Sequence, residues 1–231
     1  MTGAASPDET SPAPPVRAIS SAVILSGAYL AAQFGLITLP GLGPVPAWGV
    51  SAFLKASGII TLALTALMTM RGVDRLLALA LGLSAIGDIA LAWSPSQLLF
   101  GMGAFGAAHL VYVALFQRRL ARDGVNRTGL AAAAGVIAIG AALMAWLWPA
   151  MGAMAIPSFG YMAVLFAMAV LALSTRGFAL AALGAVSFVV SDAMIAIGLY
   201  SPEVPIPPGA VWITYVAAQV LIFIGMQRTA R

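Results

Sequence analysis

The chain contains no cysteine and only one histidine among its 231 residues. Without cysteine it can form no disulfide, no thiolate nucleophile and no cysteine-ligated zinc site, which excludes several classes of hydrolase, redox enzyme and metalloprotein. Charged residues are also scarce, because Asp, Glu, Lys and Arg together make up 8% of the chain. A water-soluble domain of this length carries far more surface charge.

Long apolar runs take the place of the missing charge. Hydrophobic residues make up 62% of the chain, and its mean hydropathy is +1.03. A membrane span needs about 20 mainly apolar residues, and eight windows qualify: 18–38, 47–68, 74–93, 96–117, 128–148, 155–174, 177–199 and 209–227. The runs are continuous rather than alternating, which favours helices over a barrel. The sequence therefore predicts an all-α, polytopic integral membrane bundle of eight transmembrane helices over residues 18–227.

The two ends of the chain differ from this apolar domain. Residues 1–17 are rich in Pro, Ser, Thr and acidic residues, so they are predicted to be a disordered cytoplasmic tail. Residues 228–231 are predicted to be a short cytoplasmic C-terminal tail. The first apolar run is too long for a typical signal peptide and is interpreted as an uncleaved span.

The arginines lie near the ends of the windows and follow one pattern along the chain. The arginines fall in the N-terminal tail, in connections 2–3, 4–5 and 6–7, and at the C-terminus: Arg17, Arg71, Arg75, Arg118, Arg119, Arg122, Arg127, Arg176, Arg228 and Arg231. The positive-inside bias then predicts that both termini are cytoplasmic, in a bacterial inner membrane. Because the basic residues stand singly or in pairs at span ends, nucleic-acid binding is not expected. The other connections contain no Lys or Arg, and the prolines are expected to lie outside the spans and to end helices.

Four residues that can carry charge lie in the middle of the apolar windows rather than at their ends: Lys55, Asp88, His109 and Asp192. Each costs roughly 2.5 kcal/mol or more in a membrane, so each indicates a functional site. Counting about 1.5 Å per residue from the outer span ends places Lys55, Asp88 and Asp192 with Tyr215 and Gln219 about 8–15 Å below the outer boundary. His109 is expected one or two turns deeper. This common depth predicts one buried centre.

Alternatives for the individual residues remain open. Lys55 could pair with an aspartate only to hold helices together, and His109 could be a neutral histidine in a helix interface. Two acids and one lysine leave excess negative charge in a low-dielectric region, so a proton retained between Asp88 and Asp192 is the cheaper arrangement. One histidine without HxxxH spacing predicts no bound metal. The glycines form no phosphate loop, and no G-x-S-x-G nucleophile elbow occurs.

Several short motifs, in their order and spacing, resemble the YhhN/TMEM86 family of lysoplasmalogenases over about residues 20–227. They comprise Lys55, Gly87-Asp88, Gly103-Ala104-Phe105, Ala108-His109, Tyr112, Gly184-Ala185, Phe188, Ser191-Asp192, Thr214-Tyr215 and Ala218-Gln219. The resemblance implies an eight-span hydrolase that cleaves the vinyl ether bond of lysoplasmalogens to a fatty aldehyde and glycerophosphoethanolamine or glycerophosphocholine. The chain departs from the family pattern at Ala56, where proline is frequent, and at Val216, where a second tyrosine is expected.

Vinyl ether hydrolysis needs a strong, well-placed acid, because protonation of the alkene carbon creates an oxocarbenium ion. A buried carboxylic acid can supply the proton while an ionised partner stabilises the cation and positions water. Asp88 and Asp192 are the predicted pair, in either order of roles, with His109 as a proton relay. Lys55, Tyr112, Ser191, Tyr215 and Gln219 are the predicted substrate-binding residues. The expected partners are a lysophospholipid and the bilayer, and no cofactor is expected.

Two other function classes fit the same residues. A proton-coupled transporter also uses Asp, Lys and His inside its spans, although broken helices with internal prolines are typical of that class. In a non-catalytic membrane scaffold, the polar layer would only join helices. Aldehyde release from a lysolipid distinguishes hydrolysis from both.

Overall fold

The computed structural model describes residues 15–36, 48–93 and 97–229, and these residues are helical almost throughout. Eight α-helices follow one another in this part of the chain: α1 Val16–Gln33, α2 Trp48–Thr69, α3 Leu76–Trp93, α4 Leu98–Asp123, α5 Arg127–Met151, α6 Ala155–Ser174, α7 Ala179–Tyr200 and α8 Ala210–Thr229. Short 3₁₀ turns, Gly72–Arg75 and Gly152–Met154, precede α3 and α6. No β-strand occurs among the described residues, which contain only an isolated bridge between Val125 and Thr175.

The helices follow the predicted windows closely. The largest differences are at α1, which begins at Val16 and ends at Gln33, and at α4, which continues six residues beyond its window to Asp123. The helix can continue because its last residues are good helix formers that need no apolar surroundings. The predicted disordered tail lies outside the described residues except for its last three, and residues 230–231 also lie outside them.

Seven segments are long and apolar enough to cross a membrane among the residues that the structure describes. One of them, Arg127–Ser174, is 48 residues long and contains both α5 and α6. The helix breaks within it at Gly152, whose positive φ of 52° favours glycine. The chain is therefore an integral membrane protein of helices.

The helices do not pack simply in chain order. A ring runs through α2, α3, α4, α6, α7 and α8, because α4 packs against α6 and α8 packs against α2. Helix α1 lies outside this ring against α2 and α8, and α5 lies outside it against α6 and α7. The ring surrounds the buried polar residues described below.

Glycines allow close approach where α7 meets α8. A Cβ on Gly184 would lie 2.7 Å from the carbonyl oxygen of Ala218, and one on Gly225 would lie 2.6 Å from the backbone nitrogen of Ala181. Small residues of this kind stabilise helix pairs in lipid, where packing replaces the hydrophobic effect between helices. Helices α7 and α8 are thus closely packed, and they carry Asp192 and Tyr215, respectively.

The prediction that the prolines lie outside the spans is wrong for two of them. Pro149 lies inside α5, in its last turn, two residues before the helix ends at Met151. Pro157 is the third residue of α6, where the missing N–H has no intrahelical partner to lose. Pro40, Pro44, Pro46 and Pro95 lie outside the described residues.

At the end of the bundle that carries the arginines, one buried arginine side chain links three parts of the chain. Arg119 of α4 is 3% exposed, pairs with Asp74 at 3.0 Å and donates to the carbonyl oxygen of Thr229. Arg122 donates to the same carbonyl at 3.0 Å. Together these bonds satisfy the terminal carbonyl of α8 and tie α8 to the turn before α3.

Candidate active site

Asp88 of α3 lies at the centre of a polar cluster built by three helices. The hydroxyl of Tyr215 on α8 donates to Oδ2 of Asp88 at 2.6 Å, and Nζ of Lys55 on α2 lies 3.8 Å from Oδ1. The Asp88 side chain is 3% exposed and that of Lys55 is 16% exposed. In such surroundings a charge needs a partner of opposite sign, so Lys55 and Asp88 neutralise each other.

Aromatic rings fix the positions of these groups. Nζ of Lys55 lies 5.6 Å from the centre of the Trp212 ring, a cation–π distance. The indole N–H of Trp212 donates to the carbonyl oxygen of Ser26 at 3.0 Å. Helix α1, although outside the ring, thereby holds the indole against the lysine.

Gly87 is needed beside Asp88 because an aromatic ring occupies the space of its missing side chain. A Cβ on Gly87 would lie 2.6 Å from the ring of Phe105. That ring packs edge-to-face on Tyr215, with centroids 5.7 Å apart, and on Phe188 at 6.2 Å. The absence of a side chain at Gly87 thus lets α4 approach α3 closely, and the aromatic rings enclose the neighbouring carboxylate of Asp88.

Asp192 of α7 has different surroundings. The hydroxyl of Tyr161 on α6 donates to its Oδ2 at 2.5 Å. Among the described residues Asp192 forms no ion pair, whereas Asp88 has Lys55. The Asp192 side chain is partly exposed because it borders an open cavity.

One cavity of about 310 Å³ is lined by both aspartates. At its polar end lie Lys55, Asp88, Tyr161, Ser191, Asp192, Trp212 and Tyr215. The rest of the lining is almost entirely aliphatic, aromatic and Met side chains from α4, α5, α6 and α7. Some lining residues also face the outside of the bundle: Ile139 of α5 is 73% exposed and Leu199 of α7 is 49% exposed. The cavity therefore opens between these helices toward the lipid.

His109 is fully buried but does not line the cavity. Its Nδ1 lies 2.5 Å from the carbonyl oxygen of Phe105, so that nitrogen carries the proton, and its Nε2 has no partner among the described residues. Its ring packs on Phe188 at 4.6 Å and on Tyr161 at 5.4 Å. His109 thus contacts the ring of the tyrosine that is bonded to Asp192, but not Asp192 itself.

The other predicted residues lie at two positions around this centre. Tyr112 donates to Oε1 of Gln219 at 2.7 Å, and both side chains are buried away from the cavity. Ser191 borders the cavity, but its hydroxyl donates to the carbonyl oxygen of Val211 at 3.0 Å. Of the eight site residues predicted from the sequence, Lys55, Asp88, Ser191, Asp192 and Tyr215 line the cavity.

Two residues of the site were not predicted from the sequence. Tyr161 was missed although it lies six residues into window 155–174, which is roughly 9 Å below the outer boundary and within the predicted polar layer. Trp212 was missed because an aromatic residue near the end of a span is typical of an interfacial anchor. In the described part of the chain, no group of three or more His, Asp and Glu side chains is clustered as a metal site.

Comparison with known proteins gives consistent matches over the region of this site. The model of the YhhN family matches residues 50–226. A protein named lysoplasmalogenase from Mycobacterium bovis is 35% identical over 180 residues, which cover 74% of this chain and 68% of that protein. Human lysoplasmalogenase TMEM86B is 31% identical over 181 residues, covering 78% of this chain and 76% of its own, and the Sus scrofa protein of that name is 29% identical over 191 residues, covering 80% and 79%. No solved structure matches the chain significantly.

Proposed function

The chain belongs to the YhhN family, and on that premise we propose that it is an ether hydrolase that cleaves lysoplasmalogens within the membrane. The products are a fatty aldehyde and glycerophosphoethanolamine or glycerophosphocholine. The observation that carries the proposal is that Asp88 and Asp192, from separate parts of the helix ring, border the same mainly apolar cavity. Relatives named lysoplasmalogenase cover most of the chain, which supports this substrate class.

The surroundings of the two aspartates favour different roles for them. Asp88 lies beside an ammonium group and accepts a tyrosine hydroxyl, and both interactions stabilise a carboxylate. In the described part of the chain Asp192 has no cation beside it, and a second negative charge in the same cavity would be costly. We therefore assign Asp192 as the protonated general acid and Asp88 as the ionised carboxylate.

The reaction then needs one proton transfer and one water molecule. Asp192 donates its proton to the alkene carbon remote from the ether oxygen, which leaves an oxocarbenium ion stabilised by the negative charge of Asp88. Water attacks the cationic carbon, Asp88 accepts a proton from it, and the resulting hemiacetal collapses to the aldehyde and the glycerol alcohol. Transfer of the proton back to Asp192 restores the starting state.

The shape of the cavity supports a substrate with one chain. Its polar end holds the groups that act on the vinyl ether, and its apolar part leads between α5 and α7 to the outer face of the bundle. A lysolipid can place its alkenyl chain along this part and enter from the bilayer without first passing through water. In this arrangement Lys55 is paired with Asp88. It therefore stabilises the Asp88 carboxylate and affects the lipid phosphate only indirectly.

The protein spans the membrane eight times in this proposal, with α5 and α6 as separate crossings. The segment that contains both is 48 residues long, or roughly 70 Å as a helix, whereas a bilayer core is about 30 Å thick. The nine described arginines all fall at helix ends or connections on one side, so both termini face the cytoplasm of a bacterial inner membrane.

The test is an assay of purified protein with lysoplasmenylethanolamine in detergent micelles, with the products identified by mass. We expect equimolar aldehyde and glycerophosphoethanolamine, and no release from the saturated ether analogue, which has no alkene to protonate. Failure of the wild-type protein on every vinyl ether lysolipid would contradict the proposal. Solute uptake into proteoliposomes driven by a pH gradient, without aldehyde release, would favour a transporter.

A further inference from the structure

Three arginines from distant parts of the sequence surround an open groove at the end of the bundle opposite the outer boundary. The groove is lined by Arg122, Asp123, Arg176, Gly177, Arg228 and Thr229, and we call it the arginine groove. Its residues come from the end of α4, the α6–α7 connection and the end of α8. The positive-inside bias explains the sign of the charge at this end, but it does not explain why three separate segments meet around one concavity.

The charges in the arginine groove are not balanced within the protein. Arg122 is neutralised by Asp123, with nitrogen-to-oxygen distances of 2.6 and 3.1 Å. Among the described residues, the guanidinium group of Arg176 makes only a long bond of 3.4 Å from Nη2 to the carbonyl oxygen of Val125, and Arg228 bonds to no described side chain. Two exposed guanidinium groups therefore remain available beside the groove.

The position of the groove indicates which anion it receives. Arg176 lies three residues before α7 and Arg228 lies one residue before the end of α8, so both are at the level where lipid phosphates meet the ends of membrane spans. Exposed apolar side chains follow the lining residues in sequence: Val125, two residues after Asp123 and with its carbonyl bound to Arg176, is 46% exposed, and Leu183, six residues after Gly177, is 59% exposed. The headgroup of an anionic lipid can pair with the guanidinium groups while its acyl chains contact these apolar side chains.

We propose that the arginine groove binds the phosphate of an anionic glycerophospholipid from the leaflet at that end of the bundle. Guanidinium groups bind phosphate with two parallel hydrogen bonds, and basic pockets between transmembrane helices bind anionic headgroups. The site is separate from the cavity of the aspartates, so the bound lipid is a structural or regulatory ligand and not the substrate. The inference is independent of the proposed function, because it is tested by binding alone.

The test uses native mass spectrometry of the full chain titrated with dioleoyl phosphatidylglycerol or dioleoyl phosphatidylcholine. We expect the wild type to bind phosphatidylglycerol more tightly, and the exposed double variant Arg176→Gln/Arg228→Gln to bind it roughly tenfold more weakly or worse, since each arginine near a lipid surface contributes about one order of magnitude or somewhat less. Arg122 is left in place because it also binds the carbonyl of α8.

The matched control is Arg71→Gln/Arg118→Gln, which removes the same charge from two exposed arginines at the same end but outside the groove. Its phosphatidylglycerol affinity should stay within about threefold of the wild type. Equal weakening in the two double variants would overturn the site in favour of general surface charge. Displacement of phosphatidylglycerol by an equal concentration of glycerol phosphate would overturn the assignment to a lipid.

Discussion

The two aspartates border one cavity, yet they lie in opposite kinds of surroundings. Asp88 is enclosed, paired with the Lys55 ammonium and bonded to Tyr215. Asp192 is partly open to the cavity, and among the described residues its side chain is bonded to Tyr161 and to no cation. The same side chain is thus stabilised as a carboxylate at one position and left without a cation at the other. This difference is the basis on which we propose an electrostatic role for Asp88 and an acid role for Asp192.

The largest expected effect is the loss of the acid. Asp192→Asn keeps the shape of the side chain and removes the proton, so kcat for aldehyde release should fall by about 10³-fold or more. The Tm of this variant should stay close to that of the wild type, because a neutral acid is replaced by a neutral amide. Glu203→Gln, an exposed carboxyl on the connection before α8, is the control and should retain full activity. Undiminished turnover in folded Asp192→Asn would contradict the assignment of Asp192 as the general acid.

The second expected effect distinguishes the aspartates by stability. Asp88→Asn should abolish activity and also lower stability by about 3 kcal/mol, because it leaves the Lys55 ammonium partly buried without a partner. Lys55→Met in the same chain should recover most of that stability, with a coupling energy of about 1–3 kcal/mol in a double-mutant cycle. Lys55→Met combined with Asp192→Asn should be additive within about 0.5 kcal/mol. Equal coupling energies between Lys55 and each of the two aspartates would contradict the proposed difference in their charge states.

The two tyrosine hydroxyls give a smaller and more selective test. A hydrogen bond to a charged group contributes about 1.5–3 kcal/mol and one between neutral groups about 0.5–1.5 kcal/mol. Tyr215→Phe, which removes the donor to Asp88, should therefore reduce stability more than Tyr161→Phe, which removes the donor to Asp192. Chemical unfolding in one detergent measures both. A larger loss of stability in Tyr161→Phe than in Tyr215→Phe would indicate instead that Asp192 is ionised and Asp88 is protonated.

The smallest expected effect concerns the apolar part of the cavity. A Cβ at Gly140 of α5 would meet the ring of Phe166, and both residues line the cavity. Gly140→Ala should displace the ring into this space and lower kcat/KM several-fold for a long alkenyl chain while sparing a short one. Gly135→Ala lies on the same helix with nothing within 4 Å of the added Cβ and is the control. A loss that is independent of chain length would argue against a chain-binding role.

Sequence reasoning predicted the helices more successfully than their arrangement. Apolar runs of about 20 residues locate each helix, but helices in lipid are apolar on nearly every face, so their pattern carries little information about neighbours. The packing of α4 on α6, with α5 outside, therefore came only from the structure. The same limit applies to the site: depth grouped Lys55, Asp88 and Tyr215 correctly, but it could not show that His109 lies behind Tyr161.

We expect Asp192, which has no cation beside it among the described residues, to be the aspartate that carries the proton. Infrared spectroscopy of the purified protein at neutral pH measures this directly through the carbonyl stretch of a protonated carboxyl group. We expect this band in the wild type, its retention in Asp88→Asn and its loss in Asp192→Asn. A band that disappears in Asp88→Asn and persists in Asp192→Asn would contradict the assignment.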